Sequence, residues 1–427
     1  MKNAVAFTTA VLLIILTFCG CASNIVEKTP TIQLWTGSCM VGEDEFEKEQ
    51  SEWILSQLID EYNTAQDKVE IQLTYFDDAD MLVQALKAAD LSETDIPDIA
   101  VVQSGVYLKD ISEIFAPLNG YVTDSFKGNS AYWETTTFND IIYGYPTTGV
   151  NITYFAYNRD LVSTAGLDFD NHPPKTLAEL MSDLETLKEA GIVPITAGDY
   201  ELNDLFSTAI AKWWFQGSDL QTIQSDGYRF STDTGFLEAC EIAQDFWKSG
   251  YIIDDYITNQ DTLGDLINGR AALYNTFIFE LGILEESMGD NLGLFPVPDL
   301  SENCAEQGLN LGSCNQCMSI LAKSTKKEES VAFIEWLLSK ENSVRLYQEY
   351  KGMPIRTDVS LADLGWENDK YYAQILPLMD NICTYPDYLI IGANELADAY
   401  YKYGPMMVTC KITPIEYASY LDNAFGN

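Results

Sequence analysis

Histidine is almost missing from this chain. Its 427 residues include one, His172, in the loop-like stretch "DFDNHPPK". That leaves little for general acid–base work at neutral pH, where imidazole is the commonest carrier. The nucleophile, metal and phosphate motifs are missing too: there is no Gly-x-Ser-x-Gly, no His-Glu-x-x-His and no P-loop. Positive charge is scarce. Against 65 Asp and Glu stand 24 Lys and Arg, a net charge of −41. Such a surface repels nucleic acid and other polyanions. A phosphate or carboxylate guest would want Arg or Lys in its site, so a neutral guest fits better. After the N-terminus no run is long and apolar enough to span a bilayer, which takes about 20 residues. No repeat at solenoid spacing occurs.

The N-terminus has what the rest lacks. Lys2 is followed by an uncharged, mainly apolar run from Ala4 to Phe18, then by Gly20-Cys21. This is the layout of a secretory signal. The small residue before Cys21 resembles a bacterial lipobox, in which the Cys is acylated and becomes the mature N-terminus. The other reading, a transmembrane anchor, asks for a longer run. We expect residues 1–20 to be a lipoprotein signal peptide, Cys21 the lipidation site and 21–30 a linker. Acyl chains, at about 0.8 kcal/mol per buried CH₂, would tether the domain to the extracytoplasmic face of a Gram-positive-type cell membrane.

What remains is too long for one core and predicts two lobes. An apolar content of 47% with 12% aromatic residues is that of a folded chain. Beyond Cys19 and Cys21 the cysteines are Cys39, Cys240, Cys304, Cys314, Cys317, Cys383 and Cys410, an odd number. Export permits disulfides, but their pairing is not readable from sequence. Cys314-Asn-Gln-Cys317 is the one close pair. It lacks the second pair or His of a zinc site and the strand-to-helix context of a redox motif, so no metal or cofactor is expected.

Strand and helix patterns alternate from residue 31. "TIQL" (31–34), "VEIQLTYF" (69–76), "DIAVVQSG" (98–105), "TYFAYN" (153–158), "RAALYNTF" (270–277) and "CMSILAK" (317–323) read as strands. Residues 51–63, 81–91, 236–250 and 326–339 have helical periodicity. "PPKTLAELMSDLETLKEAG" opens with a capping box, Thr176 and Glu179, and stops at Gly191. Such alternation implies α/β lobes with mostly parallel sheets. Ligands of open α/β sheets gather at the carboxyl ends of strands. Trp35 and Ser38, Asp77 and Asp78, Gln103 and Ser104, and Asn275–Glu280 all follow strands. Bland alternatives stand beside each: Trp35 as a core plug, Asp77 or Asp78 as a helix cap, Gln103-Ser104 as a plain turn. Trp213-Trp214, at helical spacing, read as core.

Several segments in order then carry a resemblance. "PDIAVVQSGVYLKDISEIFAPLNGYV", "YGYPTTGVNITYFAYNRDLVSTAGL", "PPKTLAEL", "INGRAALYNTFIFELGIL", "LGLFPVPD" and "SVAFIEWLLSKENSVRLYQEYKGMPIRTDV" together resemble the extracellular solute-binding proteins, family 1, the sugar-receptor lipoproteins of ABC importers related to maltose-binding protein. The resemblance runs from about Thr31 to the C-terminus. It implies an α/β, two-lobed, type II periplasmic-binding-protein-like fold with a hinge and an inter-lobe cleft. Lobe 1 would hold 31–145 and 297–338, and lobe 2 would hold 146–296 and 339–427. Crossings would lie near Tyr145–Pro146, Leu294–Pro296 and Leu338–Ser339. Phe279 stands where the family's stacking Trp is found, and Cys314 and Cys317 replace small residues.

A neutral sugar offers apolar C–H faces to aromatic rings and hydroxyls to Asp, Asn, Gln and Ser. The implied site collects Trp35, Ser38, Asp77, Asp78, Gln103, Ser104, Thr148, Asn151, Asp199, Asp204, Thr276, Phe279 and Asn315. Tyr385, Tyr388 and Asn394 are further candidates for closing the cleft. The implied role is a monomeric, non-enzymatic receptor that hinges shut on a small carbohydrate and delivers it to membrane permease subunits. Two alternatives remain: a receptor for a polyamine, peptide or other non-sugar solute, which the acids would suit, and a carboxylate-dependent glycosidase.

Overall fold

The alternating stretch Thr31–Thr36 forms strand β1, with Ile32, Leu34 and Thr36 buried and Thr31, Gln33 and Trp35 half-buried on the opposite face. The computed structural model describes residues 29–37, 40, 48–147, 151–198, 209–218, 227–304, 306–350, 352, 354–375, 382–384 and 394–425. Within them β1 is followed by β2 (Glu70–Tyr75), β3 (Ile99–Gln103), β4 (Tyr145–Pro146), β5 (Asn151–Asn158), β6 (Val193–Ile195), β7 (Ala271–Phe277), β8 (Leu292–Pro296), β9 (Asn310–Ser313), β10 (Gln316–Ile320) and β11 (Ile382–Thr384).

These strands make two separate sheets. The first has the order β2-β1-β3-β10-β4, and the second β11-β9-β5-β7-β6 with β8 also paired to β5. Parallel β1, β2 and β3 end together at Thr36, Tyr75 and Gln103. Antiparallel β10 begins at that same end, with Gln316 opposite Gln103 and Cys317 opposite Pro146. In the second sheet Asn151 at the start of β5 pairs with Ser313 at the end of β9, and Thr153 pairs with Phe277 at the end of β7. The chain leaves the first sheet after Pro146 and enters the second at Asn151, then returns from Ser313 to Gln316. Both sheets therefore turn the ends of their strands toward the same two crossings. This is the arrangement in which open α/β sheets bind ligands.

The return crossing differs from the expectation at Leu294–Pro296. That run is β8, an antiparallel partner of β5 from Leu292↔Asn158 to Pro296↔Tyr154. Gly293 is required there, since a Cβ would lie 2.0 Å from the Tyr157 ring. Strand β9, beyond residue 297, still belongs to the second sheet, and the return is made by Cys314-Asn315. A third connection follows in helix Lys340–Tyr350. Its consecutive residues Leu346 and Tyr347 enter different cores, one with Ile32 and Leu34 of β1, the other with Ile152 and Tyr154 of β5.

Helices cover both faces of each sheet. We number α1 (Ile54–Ala65), α2 (Ala79–Ser92), α3 (Val106–Asp110), α4 (Leu177–Glu189), α5 (Ala211–Gly217), α6 (Thr234–Lys248), α7 (Lys327–Leu337), α8 (Lys340–Tyr350), α9 (Asn394–Val408) and α10 (Pro414–Phe425). Helix α4 carries the capping box expected from its sequence: the Thr176 hydroxyl accepts from Glu179 N at 3.3 Å, and Glu179 accepts from Thr176 N at 3.2 Å. Central strand β5 is buried on both sides, sending Phe155 and Tyr157 into one core and Ile152, Tyr154 and Ala156 into the other. Trp213 and Trp214 are core, as their spacing implied, 1% and 2% exposed. Among the described residues no helix is long and apolar enough to cross a membrane.

Helix α4 also holds a titrating acid. Partial burial, then repulsion from Glu179 one turn earlier, pushes Asp183 up to about 6. An acid raised by folding stabilises the fold while protonated, below its unfolded value, and loses that contribution as pH rises through the folded value. Asp183→Asn should therefore raise stability at pH 7.5 by about 1 kcal/mol, a figure discounted for the group's partial exposure. The gain should vanish below about pH 4, as thermal melts across pH would show.

Candidate ligand-binding site

The first lobe's contribution begins at the end of β1. Trp35 is half-buried; its ring lies 5.2 Å from that of Phe76 at 54°. One part of the indole packs on the cluster that holds Leu82, Leu86 and Val102, so the residue is anchored in the lobe without being sealed in it. Phe76 directly follows β2 and is half-buried beside it. Asp77 is exposed. Asp78 is the N-cap of α2, where its Oδ1 accepts from Asp80 N at 2.7 Å and Met81 N at 3.0 Å. That occupies the carboxylate with the helix start, so the cap reading is the one seen.

Gln103 ends β3 and is exposed. Ser104 is not available to a guest in the same way. It is buried, and its hydroxyl donates to the Cys314 carbonyl while its N–H donates to Asn315 O at 2.9 Å. Ser104 thus fastens the tip of β3 to the return crossing. Asn315 is exposed at the centre of that crossing. Next to it, Gln316 accepts from Met40 N at 3.0 Å.

In the second lobe Thr276 is 1% exposed and its hydroxyl is bonded to Glu280 Oε2. Four residues apart, the two close the turn after β7. Glu280 Oε1 also accepts from Tyr274 OH at 3.4 Å. Phe279 is 43% exposed and stacks on Phe277, with ring centroids 5.6 Å apart and planes 9° apart. Asn151 opens β5 beside the crossing. Ser38, Thr148, Asp199, Asp204, Tyr385 and Tyr388 lie outside the described residues, as do Cys21 and the side chains of Asn151 and Asn394.

The strand ends of the first sheet thus carry Trp35, Phe76 and Gln103, with Asn315 on the return crossing, and the end of β7 in the second sheet carries Phe277 and Phe279. Phe76 and Phe277 were missed in the sequence, although each adjoins a strand end that had been singled out. Together they offer flat apolar rings and carboxamides with no cation, a set that suits C–H faces and hydroxyls. A cavity of about 350 Å³ lies elsewhere, at the end of β8, lined by Tyr154, Phe169, Leu294, Phe295 and Ile375 among others, and none of the candidate residues borders it.

Cys314 and Cys317 do not form a chemical site. Cys314 is buried in the second lobe's core with Ile152 and Tyr154, and Cys317 in the first lobe's with Leu82 and Val102. Their side chains diverge into different cores at the crossing, which also departs from a two-cysteine metal ligand set. Among the described residues no cluster of His, Cys, Asp and Glu is arranged to hold a metal ion.

A family model described as bacterial extracellular solute-binding protein matches residues 57–373. The chain belongs to that family. Solved structures with the same fold include a chitin oligosaccharide binding protein at 16% identity, covering 94% of this chain and 100% of that one with a TM-score of 0.75. The GacH receptor of Streptomyces glaucescens, solved in unliganded form and with acarbose, has 18% identity, covers 93% and 97%, and scores 0.72. The sugar-binding protein MalE of Xanthomonas citri has 16% identity, covers 92% and 96%, and also scores 0.72. At such identities the likeness establishes the two-lobed α/β fold. A search of curated proteins returns no match. Membership in this solute-binding family implies an extracytoplasmic protein that binds a solute.

Proposed function

We propose that this solute-binding protein is the receptor of an ABC importer for a neutral sugar or oligosaccharide. Residues 1–20 act as its signal peptide and acylated Cys21 as its anchor. What supports the reading is the placement of Trp35, Phe76 and Gln103 at strand ends of the first sheet and of Phe277 and Phe279 at a strand end of the second, both sets of ends turned toward the two crossings. A guest touching both sets stabilises the closed lobes over the open ones, because it contacts both only there. Cys314-Asn315 and α8, which join the two sheets, serve as the hinge. The lobe division follows the sheets, so that the sheet of β1–β4 and β10 moves against the sheet of β5–β9 and β11. The closed, monomeric receptor then presents its solute to permease subunits, and no bond is made or broken. A structurally similar chitin oligosaccharide binding protein, the GacH receptor solved with acarbose and a maltose-bound MalE3 support a carbohydrate guest.

Isothermal titration against a panel of neutral oligosaccharides and against polyamines tests this. Micromolar binding of at least one oligosaccharide and none of spermidine is expected. Polyamine binding alone would move the reading to a cationic solute held by acids such as Asp77. Turnover of a chromogenic glycoside would establish a glycosidase in its place.

A further inference from the structure

Immediately after β3 the chain turns through Gly105, whose φ of +68° favours glycine. Its N–H donates to Thr135 O at 2.8 Å, and its carbonyl accepts from Lys109 N at 3.0 Å. This turn sets α3, on the first lobe, against α9 of the second. Tyr107 of α3 is half-buried, packed on the second lobe's core, the cluster that contains Phe155 and Tyr157 of β5 together with Leu396, Ala399 and Tyr400 of α9. The other first-lobe apolar residues of this region, Leu108 and Ile111, point into their own lobe beside Val102. One aromatic ring thus leaves its lobe to pack on the opposite core, as a contact of side chains distinct from the connecting segments.

We propose that Tyr107 is an inter-lobe latch. Its ring is covered when the lobes are together and uncovered when they part, so it stabilises the closed form from within the protein. Any guest then acts on an equilibrium already shifted toward closure, and its apparent affinity rises with the fraction of closed molecules. The latch rests on the hinge reading above, but not on the identity of the guest. Partial exposure of one aromatic ring corresponds to about a tenfold change in the ratio of closed to open forms.

Small-angle scattering of the whole mature chain, with no sugar added, tests the latch directly. Tyr107→Ala should shift the profile toward the open form, with the closed-to-open ratio falling about tenfold, while Tyr107→Phe superposes on the wild type. Tyr107→Gln keeps the side chain's length on α3 but sets an amide against the core, and should open the molecule as Ala does. It decides the matter if the Ala variant does not fold. Wild-type scattering from a folded Ala or Gln variant would overturn the latch, whatever sugar the protein binds. Opening by those variants in a protein that binds no carbohydrate would retain the latch and remove the sugar.

Discussion

Asp299→Ala is expected to lower the unfolding free energy by about 3–5 kcal/mol, because it leaves a buried lysine without its counter-ion. Lys212, on α5, is 3% exposed, and its ammonium lies 2.9 Å from Asp299 Oδ1. It also donates to Val297 O at 2.6 Å. Asp299 is held from several directions: Gln216 Nε2 donates to Oδ1 at 2.7 Å and Gly308 N to Oδ2 at 2.9 Å. Burial would raise the Asp299 carboxyl, but donation from Lys212, Gln216 and Gly308 outweighs it and holds the group below the ordinary range. Burial draws Lys212 downward in spite of its partner. The direction we rely on is that of an ion pair whose lysine has no water to fall back on. The pair fastens the segment after β8 to α5, where Trp213 Nε1 also donates to Pro298 O at 2.8 Å. Urea unfolding should show the loss as a lower midpoint. The double variant Lys212→Met with Asp299→Leu should recover much of it, since two apolar side chains leave no unpaired charge.

This pair was not legible in the sequence, and the reason is general to what was missed. The capping box of α4 and the burial of Trp213-Trp214 depend on residues within a few positions of one another, so local periodicity revealed them. Asp299 and Lys212 are far apart along the chain, and long-range pairing brings them together: β8 pairs with β5, and Asp299 bridges Thr176 at the start of α4. The pairing of β8 with β5 also explains the misplaced crossing. "LGLFPVPD" carries prolines that suggest a departing segment, yet its first five residues complete the second sheet. The true return at Cys314-Asn315 has no Gly or Pro to mark it. The bond of Ser104 to a carbonyl 210 positions away is of the same long-range kind, and a hydroxyl at a strand tip gives no sign of it. Thr276 and Glu280 were within reach of local reasoning, being four apart beyond a strand. What was legible was the rule that strand ends form the site, and applied evenly it would have included Phe76 and Phe277.

The indole of Trp35, next to last in β1, gives the sharpest functional prediction. Trp35→Ala should weaken binding of the sugar found by titration by about 2 kcal/mol or more, thirtyfold or greater in Kd, as expected for an aromatic anchor at the centre of a binding surface. Stability should fall by only about 1–2 kcal/mol, since the ring is half-exposed and surrenders part of its packing on Phe76 and the Leu82 cluster. A core plug would reverse the proportions: truncating a fully enclosed Trp costs about 3–5 kcal/mol of stability and would leave affinity for a guest unchanged. Trp35→Phe retains a flat apolar face and should lie between wild type and Ala in binding while melting near wild type. Phe279→Ala removes a platform from the opposite lobe. If one guest spans both, the two truncations should not add, because a guest that has lost its grip on one lobe gains little from closing on the other. Independent, additive losses from Trp35→Ala and Phe279→Ala would place the two rings on separate guests and would part the site described between the lobes.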